Sequence, residues 1–443
     1  MTHPIPTNAT LDDWIAREAI PFSVDAPESL NAAVDAVIAS LGDAVDVLGF
    51  GEALHGGENI LLLRNRLFQR LVEAHGYSAI AIESSFPRAR VVNEYVAGRG
   101  PASYEAVQDA GFSYVFRRLD ANRDLVEWMR RYNAAPSHQV TLQFYGFDSP
   151  TAMIGTDSPR HVLHFVLDYL TALDSASGHV YRQRIDALLG QDSDWENPAA
   201  MMDPSQSIGM SPAATALRIE TEDLISELRA RRPELVAKGD EDSYLESLQY
   251  AAVARQLLTY HAAVARPSED RTARLLGMRD VVMADNLAYM VSRERGRGKV
   301  LVFAHNSHLQ RGPTHWRLGP DDLTWWPVGA HLTEMLGPRY AVIGSAVGVS
   351  DANGIGQPEA GTLEARLTAA PGPARFIPTH RGHGLPTADI AALPARAGST
   401  KNASYFALTP QSVTNFDWLV VLDATAYNRG GPPLQQRDAT PEQ

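Results

Sequence analysis

Short apolar runs that stop on a titratable residue recur along this chain, and they constrain its fold more than any other feature. Val47-Leu48-Gly49-Phe50-Gly51-Glu52 leads into Ala53-Leu54-His55-Gly56-Gly57-Glu58. Ala79-Ile80-Ala81-Ile82 stops on Glu83, and Val300-Leu301-Val302-Phe303 stops on Ala304-His305-Asn306-Ser307-His308. Continuous apolar runs of this length are the pattern of strands covered on both faces, as in a parallel α/β sheet. Such sheets gather ligands and catalysts at the carboxyl ends of their strands. If the three strands are neighbours, Glu52, His55, Glu83, His305 and His308 converge on one cleft.

The rest of the pattern fits an α/β fold with a mostly parallel central sheet flanked by helices. A helix over residues 10–20 carries Trp14 and Ile15, and a second follows Pro27 with Leu30, Ala33, Val34, Val37 and Ile38 on one stripe. Leu61, Leu63, Leu67, Phe68, Leu71 and Val72 predict a helix over 58–75. With its flanking strands it reads as a strand–helix–strand unit, which predicts direct parallel pairing. Another helix holds Leu125, Trp128, Met129 and Tyr132, ahead of a strand over 140–145 and the turn Gly146-Phe147-Asp148. Residues 155–297 are almost wholly helical in pattern and read as an insertion walling the cleft. The expected parts are thus 1–154 and 298–427 as two halves of the core, 155–297 as the insertion, and 428–443 as a disordered tail. Strands are expected at 340–345 and 418–422, a helix near 328–336, and a Pro/Gly/Trp-rich loop before it. The Gly-, Pro- and Ala-rich stretch 351–402 has no clear period and is a candidate lid.

A formal charge of −13 and the lack of any polybasic cluster argue against nucleic-acid and anionic-membrane partners. No apolar run approaches the roughly 18–20 residues that span a bilayer. There is no cysteine, which removes disulfides and thiolate catalysis and fits a reducing compartment. The first residues lack a basic stretch followed by an apolar run, so a cytoplasmic location is expected.

A histidine at a glycine-flanked strand end can act as a general base, and His55 is placed so. Glu83, at the end of the neighbouring strand, can orient the imidazole and stabilise its protonated form. Arg64, on the following helix, can clamp a carboxylate or stabilise an oxyanion. Glu52 can hold the base or a substrate amine; Glu58 can do the same, or simply favour the first turn of its helix. His305 and His308 can share one side of a turn, one of them donating to a leaving-group oxygen or an oxyanion, with Asn306 as buttress. Glu58, Asn306 and Asp148 are candidate substrate contacts. Three histidines and two glutamates also suffice for a zinc site, although the chain lacks a His-Glu-x-x-His motif. There is no Gly-x-Ser-x-Gly elbow and no Walker A sequence, and Gly354-Ile355-Gly356 lacks the third glycine of a dinucleotide fingerprint. Water activated by histidine is the simplest chemistry left, with no metal and no cofactor expected. A metal-dependent hydrolase using the same histidines, and a protein that only binds a small molecule, stay open as alternatives.

In order and spacing the chain resembles the erythromycin esterase family over roughly residues 10–425. The resemblance rests on Gly51-Glu52-x-x-His55-Gly56, the helix bearing Arg64, and Ile80-Ala81-Ile82-Glu83. It continues through Asn93-Glu94-Tyr95-Val96, Trp128-Met129-Arg130-x-Tyr132-Asn133 and Phe144-Tyr145-Gly146-Phe147-Asp148. It closes with Arg279-Asp280-x-x-Met283-Ala284-x-Asn286, Ala304-His305-Asn306-x-His308, and Val328-Gly329 ahead of Leu336-Gly337-x-x-Tyr340. The resemblance implies a parallel-sheet α/β core with extra helices around a deep cleft, and metal-independent hydrolysis of a macrolide lactone, the activity behind antibiotic resistance. It implies His55 as general base, Glu83 as its partner, and Glu52, Arg64, His305 and His308 as further polar residues of the site. A small-molecule ester or lactone is therefore the expected substrate. The chain departs from the pattern at Leu54, where Ser or Thr is usual, at Asn59, where an acid is usual, and at Phe303, where Trp is common; these changes are expected to alter the cleft wall.

Overall fold

The computed structural model describes residues 10–152 and 155–432. Its main sheet contains β1 (Ile20–Phe22), β2 (Val47–Glu52), β3 (Tyr77–Ser85), β4 (Gln143–Asp148), β7 (Lys299–His305), β10 (Tyr340–Val349), β11 (Ala374–Pro378) and β12 (Trp418–Ala424). Two small hairpins lie outside it, β5 (Thr151–Ala152) with β6 (Gly155–Thr156), and β8 (Thr314–Leu318) with β9 (Asp321–Trp325). The sheet order is β1-β11-β12-β10-β2-β7-β3-β4. Pairing is parallel from β12 to β4, and β11 runs antiparallel to both of its neighbours.

Every residue of β2 and β3 is buried. Alternate side chains go to opposite faces, so Leu48, Phe50, Ile80, Ile82, Leu301 and Phe303 pack into one apolar cluster, with the helices Pro27–Leu41 and Glu58–His75 against it. Val47, Ala79, Ala81, Val300 and Val302 pack into the other. That second cluster runs on without a break into Leu163, Val166 and Leu170, and into Leu217, Leu224 and Leu228, of the helices Arg160–Leu173 and Pro212–Ala230. The helical material expected as an insertion therefore shares its core with one face of the sheet. Its last member, the helix Arg271–Glu294, lies across β3, β4 and β7.

One sequence expectation is corrected here, with a direct consequence for the site. β2 and β3 are not adjacent, because β7 lies between them and pairs in parallel with each. A strand more than two hundred residues downstream enters the gap, a long-range choice that no local strand–helix–strand pattern reveals. The registers align Glu52 with His305, and Ile82 with Phe303. Three strand ends therefore deliver their titratable residues side by side.

Other differences are local. The helix read over 10–20 stops at Glu18, and Pro21 lies in the short strand β1. The loop before residue 328 contains the hairpin β8–β9. The stretch 351–402 is not structureless: it carries β11 and the helices Leu363–Thr368 and Thr387–Ala391. The fully buried Arg375, which bonds Leu367 O and the Asp423 carboxylate, masks the apolar pattern of β11. The first residues of the expected tail are tied to the fold. Asn428 is buried and its N–H donates to Gly56 O, and Arg429 bonds Glu58 through both its N–H and its side chain. Residues 433–443 of that tail lie outside the described residues. Among the described residues no helix is long and apolar enough to cross a membrane.

Asn306 explains a glycine. Its amide donates to Ser345 O (2.8 Å) and accepts from Ser345 N–H (3.0 Å), so it reaches from the end of β7 over β2 to β10. A Cβ at Gly51 would lie 2.2 Å from Asn306 Oδ1. Gly51→Ala is expected to force this bridge apart and to cost about 1–3 kcal/mol of stability. Urea denaturation checks this; an unchanged midpoint would contradict it.

Candidate active site

His55 lies just beyond β2, where the turn through Gly56 (φ +90°) takes the chain into the helix Glu58–His75. Its Nδ1 donates to Glu52 Oε1 at 2.6 Å. The turn is held from outside by the segment after residue 399. The His55 N–H donates to Ser404 Oγ (2.9 Å), and the Asn402 side chain donates to His55 O (2.8 Å). With Nδ1 committed, Nε2 is the nitrogen left for chemistry. The ring faces a cavity of about 270 Å³, lined also by Glu83, Arg279, His305, His308 and Ser404 and walled by Leu276, Trp316, Trp325 and Phe406.

The charges follow from burial and pairing. Burial disfavours the His55 imidazolium, but the Glu52 charge and hydrogen bond outweigh it, so its pKa lies above the ordinary value. Burial likewise raises the Glu52 carboxyl, against the opposing pull of His55. Glu83 accepts from the His305 N–H (2.9 Å) and from Arg279 Nη2 (3.0 Å), and its Oε1 lies 3.4 Å from His308 Nε2. Burial alone would raise Glu83, yet His308, His55 and Arg279 hold it well below the usual carboxylate range. Arg279 also forms a two-pronged pair with Asp148 (2.9 and 2.7 Å). His308 Nδ1 donates to Asp280 Oδ1 (2.8 Å). Burial opposes its charge, but Asp280 and Glu83 prevail and raise it to about 10. The two carboxylates thus favour the imidazolium form of His308, whose Nε2 lies 3.3 Å from Arg279 Nη1, and the two side chains line the cavity together.

His305 is different. Its Nε2 can only donate to the Ser404 carbonyl (2.9 Å), which leaves Nδ1 to accept from Ser307 N–H (3.1 Å) and Oγ (2.6 Å). Burial and the neighbouring charge of His55 push it down to about 3. It is a neutral ring with both nitrogens occupied.

The sequence candidates divide accordingly. His55, Glu83, His305 and His308 line the cavity, and Glu52 lies directly behind His55. The carboxylate bonded to His55 is Glu52, not Glu83 as expected; Glu83 instead secures His305 and Arg279. Arg64 is fully buried, holds Asn65 Oδ1 and lies over the Phe303 ring (4.9 Å), so it meets Glu52 from the protein side and is not a cavity donor. Glu58 is taken by Arg429, Asp148 by Arg279, and Asn306 by Ser345, so none of the three expected substrate contacts faces the cavity at His55. The departures at Leu54, Asn59 and Phe303 do not line it either. Leu54 and Phe303 are core residues, and the Asn59 side chain accepts from Ala426 N–H. Among the described residues, no three His, Asp or Glu side chains are grouped so as to hold a metal ion.

Sequence reading missed Arg279, Asp280, Asn402 and Ser404 as site residues. A signal for Asp280 existed: Leu276, Asp280, Met283 and Leu287 form one buried stripe of the helix Arg271–Glu294, and a carboxylate in an apolar stripe needs a buried partner. Asn402 and Ser404 sit in an aperiodic segment that offers none. Asp280→Asn would leave a buried imidazolium short of its counter-charge, at a cost of about 3–5 kcal/mol near neutrality. The raised His308 contributes stability that is complete below its unfolded value near 6.5 and is lost as pH rises towards about 10. The gap between wild type and variant is therefore expected to narrow from pH 7 to pH 10, measured by urea denaturation at each; a constant gap would contradict it.

Comparison with known proteins gives the family and the fold. The family model for erythromycin esterase matches residues 72–425. The chain is 23% identical over 338 residues to an Escherichia coli erythromycin esterase type II, covering 75% of this chain and 76% of that one. A Bacillus cereus protein of solved structure superposes with a TM-score of 0.73 at 19% identity, over 95% of this chain and 98% of that one. A mutant of the erythromycin esterase EreC, in its open conformation, superposes with a TM-score of 0.64 at 18% identity, over 94% and 99%. The chain belongs to the erythromycin esterase family.

Proposed function

We propose that the protein hydrolyses a carboxylic ester or lactone, with a macrolide-like lactone as the favoured substrate and no metal in the reaction. The observation that carries this reading is His55, with Nδ1 on Glu52 and its ring at a cavity that His308 and Arg279 also line. His55 Nε2 takes a proton from water as the water oxygen bonds to the carbonyl carbon. The carbonyl electron pair moves onto oxygen, and His308 and Arg279 stabilise that oxyanion. As the tetrahedral centre collapses, the ester C–O bond breaks and His55 returns the proton to the departing alkoxide. The products are a carboxylic acid and an alcohol, or one open-chain hydroxy acid from a lactone. Glu52 keeps the base in the right tautomer and supports its imidazolium. The family membership and the names of the curated relatives support the substrate class.

The test is incubation of wild type and His55→Ala with macrolides and simple lactones, followed by mass spectrometry. Gain of one water by wild type alone is expected; turnover by a folded His55→Ala protein would overturn the mechanism. The pH profile gives a second test. Wild-type kcat/KM is expected to rise through a pKa above 6.5 as His55 loses its proton. Glu52→Gln removes the charge that raises His55, so the rising limb should move to lower pH while kcat falls about 10²–10⁴-fold. A limb that stays in place would remove Glu52 from the account.

A further inference from the structure

The hairpin β8–β9 stands outside the main sheet, yet Trp316 and Trp325, one from each of its strands, line the cavity at His55. An isolated two-stranded hairpin is marginally stable in water, and this one packs Leu323 and Trp325 on Leu276 of the helix Arg271–Glu294. The hairpin ends on Trp325-Trp326, and the two rings differ sharply: Trp325 is 7% exposed and Trp326 59%. A buried indole needs an acceptor for its N–H. Trp325 finds one in Asp280 Oδ2, at 2.8 Å.

Asp280 is fully buried, and its two oxygens accept from three different elements. Oδ2 takes Trp325. Oδ1 takes His308 Nδ1 (2.8 Å) and the N–H of Val328 (2.9 Å), the first residue of the helix Val328–Leu336. The last torsion of an aspartate is soft, so donors on one oxygen alone leave the carboxylate free to turn. The Trp325 N–H on the second oxygen fixes that torsion, and with it the direction in which Oδ1 meets the imidazole. The far nitrogen of His308 is the one that matters for the cavity: Nε2 lies 3.4 Å from Glu83 Oε1 and 3.3 Å from Arg279 Nη1, and both of those residues line it.

We propose that Trp325 is a positioning residue for the hydrolysis: by holding the second oxygen of Asp280, it sets the orientation of the His308 ring that stabilises the oxyanion. The proposal rests on the hydrolase reading above. The Trp325 N–H is spent on Asp280, so its effect on the reaction runs through Asp280 and His308. Charge develops on the carbonyl oxygen only on the way to the transition state, so a misplaced imidazole lowers kcat and leaves KM nearly unchanged.

Trp325→Phe tests this, because it keeps an aromatic ring in the wall and removes the N–H. kcat and KM are measured in the full chain for erythromycin and for p-nitrophenyl acetate. The variant should lower kcat about tenfold for whichever of the two esters wild type turns over, and equally if both, with KM changed less than about threefold. Added to Asp280→Asn it should lower kcat no further, since residues that act through one another are not additive. An unchanged kcat, a change confined to KM, or a loss that adds in full to that of Asp280→Asn would overturn the proposal. Proton exchange gives a readout free of activity. In wild type the Trp325 indole N–H and the His308 Nδ1–H should exchange slowly with water by nuclear magnetic resonance, and fast exchange of either would overturn the proposal. In Trp325→Phe the His308 Nδ1–H should exchange at least about tenfold faster, and an equal rate would overturn it. If wild type hydrolyses neither ester, the hydrolase reading fails, and the hold of Trp325 on His308 is then judged by exchange alone.

Discussion

A single buried carboxylate, Glu83, holds the site together. It lies near the end of β3, accepts the backbone N–H of His305 at the end of β7, and binds Arg279 from the helix that crosses the sheet. Strand, strand and helix are thereby joined at one point. A buried carboxylate is costly unless its partners are close and well aligned, and here they are. The same principle extends outwards: Asp148 takes the other side of Arg279, Asp280 favours the charged form of His308, and Glu52 favours that of His55. Acids and cations alternate through the site, so removing any one leaves an uncompensated neighbour.

This arrangement separates two kinds of histidine that look alike in sequence. His308 sits between two carboxylates, which favour its charged form. His305, only three residues earlier, is bonded through its ring to a carbonyl and to a serine and is fixed as neutral. His305 therefore serves to tie the strap around Ser404 to the strand end, and that strap in turn fixes the His55 turn through Asn402 and Ser404. The His55 ring and its turn are positioned from both sides, by Glu52 and by the segment around Ser404.

Much of this was legible from strand ends alone. The apolar runs at β2, β3 and β7 each declare a doubly covered strand, and each run leads to a titratable residue at or directly behind the cavity. What local pattern cannot carry is which strands touch. The insertion of β7 between β2 and β3 is a tertiary choice, and with it the reassignment of the His55 partner from Glu83 to Glu52. Nor does pattern distinguish a cavity-facing arginine from a buried one: Arg64 and Arg279 both sit on amphipathic helices, yet Arg64 lies behind Glu52 and Arg279 faces the cavity. β11 escaped notice because its buried Arg375 breaks the apolar run, its charge met by Asp423 from the neighbouring strand. The strap around Ser404 has no period to read, since its side chains bond the backbone of distant turns.

The site rests on three imidazole states: His55 hydrogen-bonded through Nδ1 to Glu52, His308 held towards its charged form, His305 towards its neutral form. Site-resolved ¹⁵N nuclear magnetic resonance of the imidazoles in the full chain, titrated from pH 5 to 10, reads all three directly. His308 is expected to stay doubly protonated up to about pH 10, His305 to carry one proton on Nε2 throughout, and His55 to lose its Nε2 proton above pH 6.5 while keeping that on Nδ1. A neutral His308 at pH 8, or a His55 that retains its proton on Nε2 instead, would contradict these states.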